Sequence, residues 1–221
     1  MNPQQSAATP SARPFISNSR ESMRMFERDW MEALSKVHYS VPLFVFVPLI
    51  ALFLGLSLLR DHTQPINCAL WYALGVLVWT PTEYLLHRWI FHFQPRAAWG
   101  QRLHFIFHGV HHDYPNDAGR LVMPPSASLP IAAAFYALFD WVLPQSGLNA
   151  CFAGFLSGYL VYDMMHYALH HATFHSAWLK ALKRHHMQHH FVDSSCGYGV
   201  SSPLWDVLLG SLRRRAHRSD H

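Results

Sequence analysis

The sequence is poor in charged side chains and in cysteine, and both shortages restrict what the chain can be. Asp, Glu, Lys and Arg make up 14% of the 221 residues, against about 25% in an average soluble domain. The three cysteines are far apart and form no CxxC pair, which argues against a disulfide framework and a thiolate metal site. Residues 1–22 lack the apolar core of a cleavable signal peptide. The composition therefore predicts a membrane protein without a cleaved leader.

Composition divides the chain into four segments. Residues 1–22 are polar and rich in Ser, Pro and Gln, which predicts a disordered tail. Residues 23–40 carry apolar side chains at helical spacing, with basic side chains elsewhere on the wheel, which predicts an interfacial amphipathic helix. Residues 41–210 hold every long apolar run and are predicted to form the membrane domain, and residues 211–221 form a basic tail.

Four apolar runs have the length of a transmembrane helix. They cover residues 41–59, 68–86, 126–143 and 148–165. The first run would be about 28 Å long as a helix, close to the hydrocarbon thickness of a bilayer. The connection at 144–147 is short, so the third and fourth runs are expected to form an antiparallel hairpin.

Positive charge orients these four runs. It is concentrated before the first run, between the second and third, and after the fourth; the residues are Arg13, Arg20, Arg24, Arg28, Lys36, Arg88, Arg96, Arg102, Arg120, Lys180, Lys183, Arg184, Arg213, Arg214, Arg215 and Arg218. The loop after the first run has only Arg60, offset by Asp61. The positive-inside rule predicts four spans with both termini cytoplasmic, and it accounts for the basic excess without nucleic-acid binding.

Ten of the 18 histidines form four tight clusters on that cytoplasmic side. The clusters are His87-x4-His92, His108-x2-His111-His112, His166-x3-His170 and His186-x2-His189-His190. Neutral imidazole is the commonest metal ligand in proteins, and one ion takes about four to six ligands, so ten predict two ions. Residues three and four apart share a helix face, so the last three clusters are each expected to aim at one point.

The first cluster has a different spacing. Residues five apart diverge by about 140° on a straight α-helix. His87 and His92 are therefore expected either to serve two different ions or to flank the end of a helix.

The composition of the clusters restricts the metal. Nitrogen ligation without cysteine suits zinc, iron, copper or nickel, and ten histidines exceed what a closed structural zinc site needs.

An acid near the end of an apolar run is a functional candidate. Glu83 and Asp163 precede clusters by about one helical turn and are predicted to accept the outer N–H of ligating histidines; the alternative is that they only reach the interface.

The other histidines are predicted to have lesser roles. His104 and His185 adjoin the clusters and are expected to support the ligands rather than to bind metal, as are His171 and His175. Outside these regions, His38, His62, His217 and His221 are predicted to be exposed to solvent.

These residues resemble the fatty acid hydroxylase superfamily. The similarity lies in Glu83-Tyr-Leu-Leu-His87-Arg-Trp-Ile-Phe-His92, His104-Phe-Ile-Phe-His108-Gly-Val-His111-His112, Gly119-Arg-Leu-Val-Met-Pro-Pro125, Gly158-Tyr-Leu-Val-Tyr-Asp163-Met-Met-His166-Tyr-Ala-Leu-His170 and His185-His186-Met-Gln-His189-His190-Phe. It covers roughly residues 41–210 and is strongest to the fatty acid 2-hydroxylase branch, which acts on the acyl chain of sphingolipids.

The resemblance implies an all-α integral membrane fold, with four transmembrane helices capped by a cytosolic helical dome that holds a dimetal histidine site. It implies metal ligation by His87, His92, His108, His111, His112, His166, His170, His186, His189 and His190, and no catalytic residue beyond these ligands. The implied cofactor is two iron ions, with zinc possible in isolated protein, and O2 is the co-substrate. The implied reaction is hydroxylation at carbon 2 of a long acyl chain, free or in an N-acyl lipid such as ceramide.

One departure from the superfamily concerns the electron donor. Eukaryotic members carry an N-terminal cytochrome b5 domain, for which the about 40 residues before the first run are too few, and no His-Pro-Gly-Gly is present. The expected partners are a lipid or fatty acyl substrate from the bilayer and a separate electron donor, either cytochrome b5-like or a ferredoxin with its reductase. The compact form favours a bacterial inner membrane over the endoplasmic reticulum, with the active site on the cytoplasmic side.

Alternative functions stay open at this point. A hydroxylase of a sterol, carotenoid or ornithine lipid would carry the same histidine clusters. A metal transporter is disfavoured because transport sites lie near the bilayer midplane, whereas these clusters begin where the apolar runs end. A purely structural histidine-rich membrane protein is the remaining alternative.

Overall fold

The computed structural model describes residues 15–213, and this part of the chain is helical and contains no β-strand. The helices are α1 (Asp29–Leu34), α2 (Val41–Gly55), α3 (Pro65–Leu85), α4 (Ala98–His104), α5 (Val110–Asp113), α6 (Pro125–Val142), α7 (Gln145–His171), α8 (Ala177–Phe191) and α9 (Leu204–Leu208). The π-helical turns are Leu56–Arg60, Leu86–Phe91 and Phe105–Gly109, and a 3-10 turn covers Ala118–Arg120. The all-α prediction is confirmed for these residues.

Helices α2, α3, α6 and α7 coincide with the four predicted apolar runs. Within residues 15–213, two helical segments are long and apolar enough to cross a membrane, Val41–Arg60 and Ala118–Val142. Helix α7 lies at the centre of the fold, where most of its side chains are buried. It carries the third histidine cluster at its C-terminal end.

Helices α3 and α7 pack with their backbones in contact. A Cβ added at Gly75 would lie 1.9 Å from the carbonyl oxygen of Cys151, and one at Gly154 would lie 2.0 Å from that of Tyr72. Only glycine permits such an approach, and small residues at helix interfaces are typical of helices packed in membranes. This contact fixes the two helices that carry His87 and the His166–His170 pair.

The segment before α2 differs from its prediction. The interfacial helix expected over residues 23–40 is helical only in α1. The Glu32 carboxylate accepts hydrogen bonds from the backbone N–H groups of Met25 and Phe26, at 3.0 and 3.1 Å, so the chain before α1 folds back onto it instead of continuing as a helix. Long-range hydrogen bonding has overridden the local amphipathic pattern.

Arg120 binds the segment before α2 from inside the fold. It is buried, donates to the Ser35 hydroxyl at 2.7 Å and forms an ion pair with Glu32. The sequence interpretation counted Arg120 as one of the positive charges flanking the spans, whereas the structure pairs it inside the fold. The residue instead ties α1 to the turn that precedes α6.

The predicted tails lie largely outside the described residues. Residues 1–14 of the expected disordered segment and residues 214–221 of the basic tail are not among them. Residues 15–22 form no helix or strand, but the Ser17 N–H donates to the Asp113 carbonyl and the Ser22 N–H to the Asp117 carboxylate, at 2.8 and 2.9 Å. This stretch therefore lies against the histidine-bearing segments.

Candidate metal centre

The ten clustered histidines converge into two groups of five. Within each group, one ring nitrogen of every member lies within 4.8 Å of the corresponding atom of every other. The first group is His87, His92, His108, His112 and His189; the second group is His111, His166, His170, His186 and His190. These are the ten residues that the sequence clusters single out, and either group could hold a metal ion.

The division between the groups runs through the sequence clusters. Helix α8 supplies His186 and His190 to the second group and His189 to the first. The His108–His112 cluster is divided in the same way, with only His111 in the second group. The expectation that each three-residue cluster aims at one point was therefore wrong. Residues i and i+4 stay together, while i+3 lies far enough around the helix to reach the neighbouring group.

A π-helical turn resolves the spacing of the first cluster. The backbone N–H of His92 donates to the carbonyl of His87 at 3.2 Å, an i to i+5 bond that brings residues five apart onto one face. Both residues belong to the first group. The expectation that they serve two different ions is therefore wrong, whereas the expected helix end is confirmed, because the π-helical turn ends at Phe91 and His92 is its C-cap residue.

The spacing of three ring nitrogens in the first group fits a shared cation better than hydrogen bonds among the three. The Nε2 atoms of His87, His92 and His108 lie 3.2 to 3.3 Å from one another. A neutral Nε2 either donates or accepts, so in a triangle at least two atoms have the same role and cannot bond. A shared cation would satisfy all three lone pairs. Ligands about 2.1 Å from one ion and at right angles would be about 3.0 Å apart, so the triangle fits.

The Nε2 atoms of the second group also lie close to one another. Its Nε2 atoms are 3.1 Å apart between His111 and His190, 2.9 Å between His170 and His186, and 3.2 Å between His186 and His190. The Nε2 of His166 is buried without a hydrogen-bond partner within residues 15–213. A buried polar atom left unpaired is costly, so the group fits a bound cation.

Two rings of the first group are fixed by backbone carbonyls. The Nδ1–H of His87 donates to the Tyr198 carbonyl, and the Nδ1–H of His189 donates to the Cys196 carbonyl at 2.8 Å. A carbonyl can only accept, so Nδ1 carries the proton and the Nε2 lone pair is free to face the group. Sequence reasoning missed these partners because a backbone carbonyl has no side-chain signature.

Burial keeps the imidazoles in the neutral form that binds metal. Desolvation lowers the pKa of His186 and of His112 well below the usual value. It also lowers the pKa of His189 to about 4. The rings of α5 and α8 are therefore neutral near pH 7, as ligation by nitrogen lone pairs requires.

The two acids predicted to support the histidines bind backbone groups instead. Glu83 is buried, and its Oε1 accepts the N–H groups of Val200 and Ser201, both at 2.8 Å. Asp163 accepts the N–H of Met123 at 3.2 Å and a hydrogen bond of 3.5 Å from the Tyr159 hydroxyl. Among residues 15–213, no histidine N–H donates to either carboxylate, so any effect of these acids on the histidine groups passes through the backbone they hold.

His185 and His104 lie beside the groups but belong to neither. The Nε2–H of His185 donates to Asp206 at 3.1 Å, and Asp206 is fully buried. His104 lines a cavity at the edge of the first group. Asp206 was not singled out from the sequence, although an acid within the apolar stretch 204–208 was the available signal.

One cavity is lined by members of both histidine groups, and a second, apolar cavity adjoins it. The first has a volume of about 270 Å³ and is lined by His108, His111, His166 and Asp163. The second has a volume of about 260 Å³ and is almost wholly apolar. Its walls include Trp79, Ile131, Ala132, Phe135, Phe155 and Leu156. Phe91, Met123 and Tyr162 line both, so the two cavities adjoin.

A third cavity, of about 500 Å³, has a different lining. It reaches His92 and His112 of the first group and His190 of the second. Gln94, Asp113, Asp193 and Ser194 contribute polar groups to its wall. This cavity shares no lining residue with the first, so separate cavities of different polarity reach the histidine groups.

Comparison with known proteins extends these observations. A sequence model of the family described as "Fatty acid hydroxylase" matches residues 72–211. Dihydroceramide fatty acyl 2-hydroxylase FAH2 of Arabidopsis thaliana is 37% identical over 193 residues, which are 87% of this chain and 81% of the relative. Fatty acid 2-hydroxylase of Rattus norvegicus is 38% identical over 213 residues, with 86% of this chain and 56% of the relative covered.

A solved structure agrees in fold. The structure titled "Full length scs7p (only hydroxylase domain visible)" superimposes with a TM-score of 0.79 at 36% sequence identity. The similarity covers 84% of this chain and 70% of that one.

Proposed function

The chain belongs to the fatty acid hydroxylase family, an oxidoreductase family, and on that premise we propose that it hydroxylates carbon 2 of a long acyl chain. The substrate is an N-acyl lipid such as ceramide or a free fatty acid. The observation that carries the proposal is the convergence of ten histidines into two groups, members of which line a cavity that adjoins an apolar one. The named activities of the relatives support the position of the hydroxyl group.

The two histidine groups would hold two iron ions, five nitrogen ligands each. When bound, the iron pair supplies the redox chemistry for O2, so that one oxygen atom enters the C–H bond and the other leaves as water. This balance requires two electrons and two protons from outside the substrate. The protein contributes the nitrogen ligands, buries the metal site and orients the acyl chain.

The membrane arrangement follows from the apolar surfaces. We propose that α2, α3, α6 and α7 all span the bilayer and that the segments bearing the other histidines form a cytoplasmic dome. Phe44, Leu59, Leu77 and Trp141 have between 64% and 83% of their surface exposed, and they lie on α2, its π-helical turn, α3 and α6. Such large exposed apolar side chains are expected where a protein faces lipid.

The acyl chain would lie in the apolar cavity between α3, α6 and α7. The adjoining cavity is the place for the carbonyl end, because it combines apolar walls with His108, His111 and Asp163. Tyr162 and Phe91 stand where the two cavities meet. This arrangement holds carbon 2 beside the histidine groups and keeps the rest of the chain away from water, so catalysis depends on positioning.

Asp163 is placed to bind the polar end of the substrate. Within the described part of the chain its Oδ2 has only the 3.5 Å hydrogen bond from Tyr159, which leaves it able to accept a shorter one. The amide N–H or a hydroxyl of an N-acyl lipid would supply that donor.

Electrons would come from a redox protein, cytochrome b5-like or a ferredoxin with its reductase. The third cavity supports a docking place on the side away from the apolar cavity, because it opens to His92, His112 and His190. Lipid substrate and electron donor would then approach from different sides.

The proposal is tested by mass spectrometry of lipids from cells that express the chain. The expected result is a gain of one oxygen, located at carbon 2 of the acyl chain by fragmentation. His170→Ala should abolish this product and lower the metal content, because His170 belongs to the second group.

His171→Ala is the matched control. His171 is adjacent and exposed and lies in neither group, so this variant should retain the product. Oxygen gained by a sterol or a carotenoid instead would assign the chain a different substrate, and full activity of His170→Ala would contradict the metal site.

A further inference from the structure

The two histidine groups are held differently at their outer edges. In the first group, His87 and His189 donate their Nδ1–H to the carbonyls of Tyr198 and Cys196. In the second group, the Nδ1 atoms of His111, His186 and His190 are buried and have no hydrogen-bond partner within residues 15–213. Two rings of the first group are therefore oriented by backbone carbonyls of one nearby segment, whereas three rings of the second group have no such bond within the described residues and His170 is held by the Pro115 carbonyl.

The two carbonyls that hold the first group belong to residues 196–201, which we call the anchor segment. Its backbone N–H groups are bound on one side by Asp206, which accepts from Tyr198 at 2.9 Å and from Gly199 at 2.8 Å. They are bound on the other side by Glu83, which accepts from Val200 and Ser201. Two buried carboxylates thus fix the segment whose carbonyls orient the histidines.

Asp206 is the centre of this arrangement. Besides the two backbone groups, it accepts hydrogen bonds from the Ser211 hydroxyl at 2.7 Å and from His185 at 3.1 Å, and it is fully buried. All four donors face one carboxylate, so neither of its oxygens is free. An asparagine in its place has one oxygen and one NH2 group. Whichever way it was oriented, the NH2 group would face the N–H of Tyr198 or of Gly199, and two donors cannot form a hydrogen bond.

We propose that Asp206 is a positioning residue which, with Glu83, holds the anchor segment and makes the first histidine group the tighter of the two metal sites. This inference rests on the proposed function, since it assumes that both groups bind metal. Partners of the outer histidine nitrogens typically change metal affinity by about 10-fold to 100-fold. The two sites should therefore differ in affinity by a factor in that range, and Asp206 should act on the first site alone.

The test counts and ranks zinc ions bound to purified metal-free protein in detergent. Elemental analysis gives the number of Zn²⁺ ions, and competition with a chelator gives their affinities. Wild-type protein should bind two Zn²⁺ ions of unequal affinity. Asp206→Asn should weaken one of them by about tenfold or more and leave the other unchanged.

Two backgrounds identify the affected site. With His170 and His186 both changed to Ala, only the first group is complete, and Asp206→Asn should weaken its zinc binding. With His92 and His112 both changed to Ala, only the second group is complete, and Asp206→Asn should leave its affinity unchanged. Equal weakening in both backgrounds, or no weakening in either, would overturn the inference.

Further variants separate positioning from loss of folding. Asp140→Asn alters an exposed carboxylate that binds only the Gln145 side chain among the described hydrogen bonds, and it should leave both affinities unchanged. Ser211→Ala removes one of the four bonds of Asp206 and should weaken the same site by a smaller factor. A wild-type protein that binds fewer than two Zn²⁺ ions would instead contradict the proposed function, whereas failure of this inference alone leaves the wild type with two.

Discussion

At the scale of single residues, Ala132 provides a test of whether the apolar cavity holds the acyl chain. It lies on α6, is partly buried and lines the cavity, whereas the next residue, Ala133, is exposed on the outer face of the same helix. A methyl side chain at position 132 leaves the space that an acyl chain would fill. Substituting Ala132 and Ala133 in turn therefore separates an effect on the cavity from an effect on the helix.

Ala132→Phe should lower formation of the 2-hydroxy lipid by about tenfold, because a misplaced chain no longer presents carbon 2 to the histidine groups. The remaining product should shift toward shorter acyl chains, measured by lipid mass spectrometry. Ala133→Phe places the same ring outside the cavity and should match the wild type. Equal activity of all three proteins would show that the acyl chain lies elsewhere.

The histidines were predictable from sequence, but their arrangement was not. The clusters stand out because ten imidazoles lie at helical spacings in a chain with few charges. Which group each ring joins depends on the rotation of α5 and α8 about their axes, which spacing alone does not determine. Asp206 and Glu83 act on backbone groups, and the sequence carries no mark of which N–H will face a carboxylate.

At the scale of elements, the helices were predictable and their irregularities were not. The four apolar runs match α2, α3, α6 and α7 because length and hydropathy are local properties. The π-helical turn at Leu86–Phe91 departs from the periodicity that the sequence interpretation assumed. It is stabilised by surrounding contacts such as the bond of His87 to the Tyr198 carbonyl. The helix predicted over 23–40 was lost for the same kind of reason, the hydrogen bonds of Glu32.

The contact between α3 and α7 gives a prediction at this scale. Gly154→Ala should destabilise the fold by about 3 kcal/mol or prevent folding, since its Cβ would meet the Tyr72 carbonyl, a backbone group that cannot move aside. Thermal unfolding in detergent and metal content measure the effect. Gly55→Ala is the matched control, because nothing lies within 4 Å of the added Cβ, and its stability should change by less than about 1 kcal/mol.

A Gly154→Ala protein as stable as Gly55→Ala would contradict the close packing. It would also remove the argument that α3 and α7 form a fixed frame for the histidines they carry.

At the scale of the whole molecule, the buried imidazoles make stability depend on pH. In the protein without metal, burial holds the pKa of His189 at about 4, below its ordinary 6.5. The unfolded chain therefore binds the proton first as the pH falls, and stability is lost between about pH 6.5 and 4. His189 alone would contribute about 3 kcal/mol, fully present above that window and absent below it.

Denaturant unfolding of metal-free protein across this range measures the loss. His189→Gln should reduce the loss of stability over this range by about 3 kcal/mol, because glutamine does not titrate while the other buried imidazoles still do. A free energy of unfolding that stayed constant from pH 7 to pH 4 would contradict the burial of neutral imidazoles.

The first histidine group also joins distant parts of the chain, since its members run from His87 to His189. An ion bound there would act as a removable cross-link, and a covalent link closing about 100 residues is worth about 4.7 kcal/mol in chain entropy. Metal supply would then decide how long the protein survives in the cell as well as whether it turns over, because a chain that has lost its ions would unfold and reach proteases more often.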